Sequence, residues 1–147
     1  MKCKYLIILF LIVFGCINPP RSTSVPADFE VTYSYGACHA EWGVTTITID
    51  ANGNGNYEST IGTPNEAEFT VSEEDLMGLL NKIDESGFYS LNDYYSDPLT
   101  VDGSCQSIFI TKNNITKSVA ISNTPAPEAY STVADAISEI VKSNKNW

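Results

Sequence analysis

Val44-Thr-Thr-Ile-Thr-Ile-Asp50-Ala-Asn-Gly53-Asn-Gly-Asn-Tyr57-Glu-Ser-Thr60 decides the fold. Val44 to Asp50 alternates between apolar and polar residues and puts Ile47 and Ile49 on one face, the pattern of a half-buried strand. Asn52-Gly53 follows as a hairpin turn, because Asn and Gly tolerate the positive φ that a tight turn demands. Asn54 to Thr60 returns as a second alternating strand. Working outward, Phe29 to Tyr35 is a strand broken by Gly36, and Glu66 to Val71 is a further short strand. Ser72 then opens a helix: Ser72 and Asp75 have capping-box spacing, and Glu73, Glu74 and Asp75 load the first turn with negative charge. Leu76, Leu79, Leu80 and Ile83 give its apolar stripe, and Gly87 stops it.

Phe88 to Leu91 reads as a short extended piece and Asn92 to Ser104 as a loop. Cys105 to Thr111 and Ile115 to Ser122 form a second hairpin, turning at Lys112-Asn113-Asn114. A final helix follows Thr124 to Pro127, with Tyr130, Val133, Ala134, Ile137, Ile140 and Val141 as its buried stripe. The order strands, helix, strands, helix predicts an α+β domain. Its antiparallel sheet is built from two hairpin regions, with both helices packed on one face.

At 147 residues the chain is one domain's worth of sequence, and 43% hydrophobic residues suffice for a core. Acidic side chains number 18 against 8 basic ones, a net charge of −10. Such a surface repels phosphate backbones and does not hold to anionic lipid through basic patches, so no nucleic-acid partner is expected. His39 is the only histidine, which excludes any mechanism that needs two.

The N-terminus reads as an export signal. Lys2 and Lys4 form a positive start, and Tyr5 to Gly15 is an apolar run too short to span a bilayer as a helix. Val13-Phe14-Gly15-Cys16 resembles a lipobox, with Phe14 departing from its pattern. It predicts cleavage before Cys16 and lipid attachment to that cysteine, hence an exported protein anchored to the cell membrane. An ordinary signal peptide, or an uncleaved anchor, in which Cys16 is a passive apolar residue is the competing reading. The expected organisation is signal 1–16, a Pro- and Ser-rich tether 17–28, and a domain 29–147. Removing Lys2 and Lys4 and no acid takes the net charge from −10 to −12.

Cys38 and Cys105 are the only cysteines in the folded part. In an exported chain they are expected to form a disulfide; two free thiols, or a nucleophilic Cys38 beside His39, are the alternatives. Asp50 to Gly55 matches the first half of an EF-hand loop, but position 12 is Ile61 instead of the bidentate Glu, so no metal is expected there. Asp93, Tyr94, Tyr95, Asp97 and Asp102 fall in one loop, a candidate binding site or simply a solvated surface. His39 with Glu41 is at most half of a metal site. Asn114-Ile115-Thr116 is a glycosylation sequon. No cofactor is expected.

From Tyr35-Gly36-Ala37-Cys38 onward the chain resembles an uncharacterised extracytoplasmic domain family found in bacterial and archaeal lipoproteins. The resemblance rests on that aromatic-Gly-x-Cys turn, on Ile49 to Tyr57, on Phe69 to Leu76, on Gly87 to Leu91 and on Tyr95 to Pro98, in that order. It spans Phe29 to Val141. Members often carry a second Cys just before the turn. Here Ser34 and Tyr35 stand there, so the resemblance makes Cys105 the replacement partner of Cys38. It implies fold and location and supplies no catalytic residue.

The expected function is therefore a non-enzymatic, surface-tethered module that binds a partner protein or an envelope component. A small hydrolase or enzyme accessory subunit using the acidic loop, and an exported hydrolase inhibitor, are the other readings. A deep pocket joining two of Glu41, Asp93, Asp97 and Asp102 favours the enzyme, an exposed apolar patch the binding module, and a protruding loop the inhibitor.

Overall fold

The computed structural model describes residues 24–100 and 103–144. The expected signal, the lipid site Cys16, most of the tether, and Asp102 lie outside the described residues. Among the described residues the strands and α-helices follow in the order β1 (Glu30–Ala37), β2 (Val44–Asp50), β3 (Asn54–Ser59), β4 (Asn65–Thr70), α1 (Glu73–Ser86), β5 (Tyr94–Ser96), β6 (Ser104–Lys112), β7 (Ile115–Ser122) and α2 (Glu128–Asn144). The seven strands make one sheet in the order β4-β3-β2-β1-β6-β7-β5.

The α+β class stands, and the all-antiparallel sheet does not. β5 pairs parallel to β7, with Tyr94 opposite Ala120 and Ser96 opposite Ser122, so the sheet is mixed. β1 to β4 form an antiparallel meander, β6 and β7 a hairpin, and β1 joins the two by pairing with β6. Three local expectations also change. Gly36 does not break the first strand; it lies inside β1, opposite Val44 and Cys105. A Cβ on Gly36 would stand 2.4 Å from the Gly43 carbonyl oxygen, so the residue is small because another stretch of backbone lies against it. Phe88–Ser90 is a 3-10 turn instead of an extended piece, and buries Phe88. The stretch read as a loop from Asn92 contains β5.

Strand alternation sends one set of side chains inward: Val31 and Tyr33, Ile47 and Ile49, Phe69, Ile108 and Ile110, Val119 and Ile121. Both helices cover that face. Leu76, Leu79, Leu80 and Ile83 of α1 and Tyr130, Val133, Ile137, Ile140 and Val141 of α2 join the same core. The first helix begins as its sequence dictates, with Ser72 Oγ accepting from the Asp75 amide at 3.1 Å. The same hydroxyl donates to the Asp75 carboxylate at 2.7 Å. It ends on Gly87 at φ 80°.

The other sheet face carries hydroxyls. Thr32 lies 3.4 Å from Thr48 and Ser34 3.2 Å from Thr46, oxygen to oxygen, across β1 and β2. The ordered domain also reaches upstream of the expected start at Phe29. Val25 packs against the core, and the Asp28 carboxylate accepts from the Asn113 and Asn114 amides. No helix among the described residues is long and apolar enough to cross a membrane.

Candidate functional site

The sheet has two ends, set by strand direction. At one end lie the exits of β1, β3 and β7, the entries of β2, β4 and β6, and the segments that join them. Cys38 and Cys105 are bonded there, with Cα atoms 4.7 Å apart, inside the span a disulfide requires. The bond ties the turn after β1 to the start of the second hairpin. Cys38 is therefore neither a free thiol nor a nucleophile.

Around the disulfide the backbone is held on several sides. The Cys38 amide donates to the Gly103 carbonyl at 3.2 Å, and the Asn123 amide to the Ser104 carbonyl at 3.0 Å. Asn123 sits at φ 60°, a conformation Asn tolerates better than most side chains. Its side-chain amide donates to the Thr100 carbonyl at 3.0 Å. Gly103 has no room for a side chain, since a Cβ would meet Asn123 Oδ1 at 2.0 Å.

This end displays apolar side chains. Trp42 is 53% exposed and Ile61 47%; on the far side of the disulfide, Tyr94 is 61% exposed and Leu99 90%. Trp42 lies against His39 with ring centroids 5.3 Å apart and the ring planes tilted by 57°. Between the two groups runs a shallow trough of about 260 Å³ on the hydroxyl face, lined by small residues including Ser34, Ala37, Ser107 and Ala120, with Val44 and Tyr94 at its sides. It crosses from β2 to β5, four strand spacings or ~19 Å.

The acidic-loop residues are not gathered into one site. Asp93 is spent on Lys117, whose ammonium also donates to the Leu91 carbonyl. Tyr95 turns inward against the core, its hydroxyl accepting from the Asn92 amide at 3.1 Å. Asp97 is spent on its own turn, accepting from the Leu99 amide at 3.0 Å and from the Thr100 hydroxyl at 2.7 Å. Those bonds, from Thr100 first and Leu99 second, hold the Asp97 carboxyl below its ordinary range. Of the five loop residues, Tyr94 alone is both described and directed outward on the trough. Glu41 lies in the 3-10 turn Ala40–Trp42, across the sheet from Asp93.

The EF-hand-like stretch is also explained without metal. The Asp50 carboxylate accepts from the Asn52 and Asn54 amides and from the Asn54 side chain, at 2.8–2.9 Å, and so closes the β2–β3 turn. Burial pushes its pKa up, but the bonds from Asn54 and Asn52 together outweigh that and leave it lowered. Among the described residues no three His, Cys, Asp or Glu side chains are grouped to hold a metal ion.

Trp42, Ile61 and Leu99 escaped the sequence reading. An apolar residue in a loop reads as a core contributor until its loop is placed. A signal was present for two of the three: Trp42 adjoins Gly43, and Leu99 follows Pro98, so neither lies on a periodic apolar stripe.

Among known proteins, the family model described as Domain of unknown function (DUF6438) matches residues 29–141. The chain belongs to that family of uncharacterised domains. The comparison with curated proteins finds no match.

Proposed function

We propose that this protein is an exported, lipid-anchored, non-enzymatic module that binds a partner protein or an envelope component through the disulfide end of its sheet. The observation that carries the reading is the display of Trp42, Ile61, Tyr94 and Leu99 around one covalently pinned end. Large apolar side chains gathered beside a shallow trough are a recognition surface more than a reaction site. Every carboxylate that the enzyme reading needs, where described, either closes a turn, pairs with a lysine or stands apart from the others.

Export and anchoring are supported by the apolar run Tyr5–Gly15 ending at Cys16, and by a disulfide that needs an oxidising compartment to persist. Intact mass of the native protein should show acyl chains on residue 16; an unmodified cysteine there overturns the anchor.

Site-specific photo-crosslinking tests the surface. A photoreactive phenylalanine placed at Trp42 or Tyr94 in the full chain, in its native envelope, should give one discrete adduct. The same group at the exposed Glu85 of α1 should give none. Adducts of equal yield from all three positions, or from Glu85 alone, overturn the surface as drawn.

A further inference from the structure

The turn Asp97-Pro98-Leu99-Thr100 has the build of an insertion element. Leu99 is 90% exposed, the most exposed of the large apolar side chains among the described residues. A leucine so placed gains almost no burial on folding and makes little packing contact, so the fold does not need it there. The turn that carries it is nevertheless restrained. Pro98 fixes one φ, and the Asp97 carboxylate closes the turn through both Leu99 and Thr100. Its base is clamped at both ends: the Asp97 amide donates to the Ser122 carbonyl at 3.1 Å, and the Asn123 side chain to the Thr100 carbonyl. Asn123 in turn lies beside the Cys38–Cys105 bond, with its Oδ1 3.2 Å from Cys38 Sγ. A short convex turn, preorganised and tipped by one aliphatic side chain, loses little conformational entropy when it enters a cavity.

Charge indicates what surrounds that cavity. The domain carries a large acidic excess, and three of its described lysines are already paired: Lys82 with Glu139, Lys112 with Asp84 and Lys117 with Asp93. Asp97 carries its charge at the base of the turn, and at the same end of the sheet the exposed Glu58 and Glu66 lie directly opposite each other on β3 and β4. A partner that meets this end must bring positive charge to its rim.

Resting on the binding role proposed above, we infer that Leu99 is the anchor of the interface, inserted into an apolar pocket within a basic-rimmed cleft of a partner protein. The occupant of the turn is thus concave and cationic, and the trough beside Tyr94 receives the cleft's lip.

The test uses the full chain in its native envelope, with the photoreactive residue at 42, 94 or 99, followed by binding of the captured protein to purified domain. Leu99→Ala should weaken that binding at least ~30-fold with the melting temperature unchanged, and Leu99→Met should recover most of it. Raising salt from low to high should weaken wild-type binding at least ~10-fold. If residues 42 and 94 capture a partner but Leu99→Ala binds within threefold of wild type, the insertion is wrong and the wider surface survives. A partner with an acidic contact surface, or salt-insensitive binding, also overturns it. If none of the three positions captures a protein, the binding surface itself fails.

Discussion

The two ends of the sheet close their turns with the same chemistry and present opposite surfaces. At the end away from the disulfide, Asp50 closes the β2–β3 turn and Asp28 closes the β6–β7 turn, where Asn113 and Asn114 both have positive φ. Lys112 and Asp84 form a largely covered ion pair there, with the ammonium 5.7 Å from the Tyr89 ring centre. Several polar groups at that end are answered from within the chain, although the Tyr89 hydroxyl is buried there without a hydrogen bond, and Ile115 and Phe109 are exposed apolar side chains toward that end. At the disulfide end Asp97 closes a turn as well, but the turn holds Leu99 into solvent. Carboxylate caps therefore do not distinguish a structural end from a functional one. What distinguishes them is how much is displayed: one exposed aliphatic side chain, Ile115, follows the Asn113–Asn114 turn, whereas Trp42, Ile61, Tyr94 and Leu99 all stand at the disulfide end.

The contrast can be broken in four places. The largest effect is expected at the disulfide: replacing Cys38 and Cys105 with Ala should cost ~2–5 kcal/mol, read from denaturant melts. The core under both helices should keep the fold, and loss of native near-ultraviolet dichroism in buffer would show that it does not. Next comes the other end. Lys112→Met should cost ~1–3 kcal/mol, because Asp84 is left mostly covered without this partner. A neutral result would mean that solvent already screens the pair.

Third is acid stability. Asp28, Asp50 and Asp97 all have lowered pKa values. The unfolded chain therefore binds more protons than the folded one just below the ordinary carboxylate value of 3.8. Their stabilisation is complete above that value and is lost as pH falls through the folded values. The urea midpoint should fall with pH there, and Asp50→Asn should flatten the fall. An unchanged slope would remove Asp50 from the account. The smallest effect on stability belongs to the displayed residues: Trp42→Ser or Leu99→Ser should move the folding free energy by less than ~0.5 kcal/mol. A larger loss from either would mean that it packs as part of the fold instead of serving as display.

Much of this architecture was legible from local pattern. Ile47 and Ile49 alternate, Leu76 to Ile83 repeat at helical spacing, and Ser72 and Gly87 bracket α1 as their chemistry requires. β5 was not legible, because its three residues carry no period of their own and become a strand only by lying parallel to β7. Gly36 misled for a related reason: the backbone at Gly43 that makes a glycine necessary arrives from another loop. The carboxylates of the acidic loop could be seen, but their employment could not. Asp93 finds Lys117 only once β7 is in place, whereas Asp97 serves residues two and three positions along. The pairing of Cys38 with Cys105 followed from elimination and resemblance, and the β1–β6 register explains it by placing Gly36 opposite Cys105.

Asp28 has one more consequence, a matter of direction. By holding the Asn113–Asn114 turn it fixes where the chain enters the domain, at the end opposite the disulfide. Any tension applied from upstream, such as a lipid on Cys16 would apply, therefore pulls on that end. Trp42 and Leu99 are left pointing away from the point of attachment, about a strand's length further out. The capped turn works as a mooring cleat: with the chain anchored upstream as proposed, two hydrogen bonds at one end of the sheet would help decide which end faces away from the membrane.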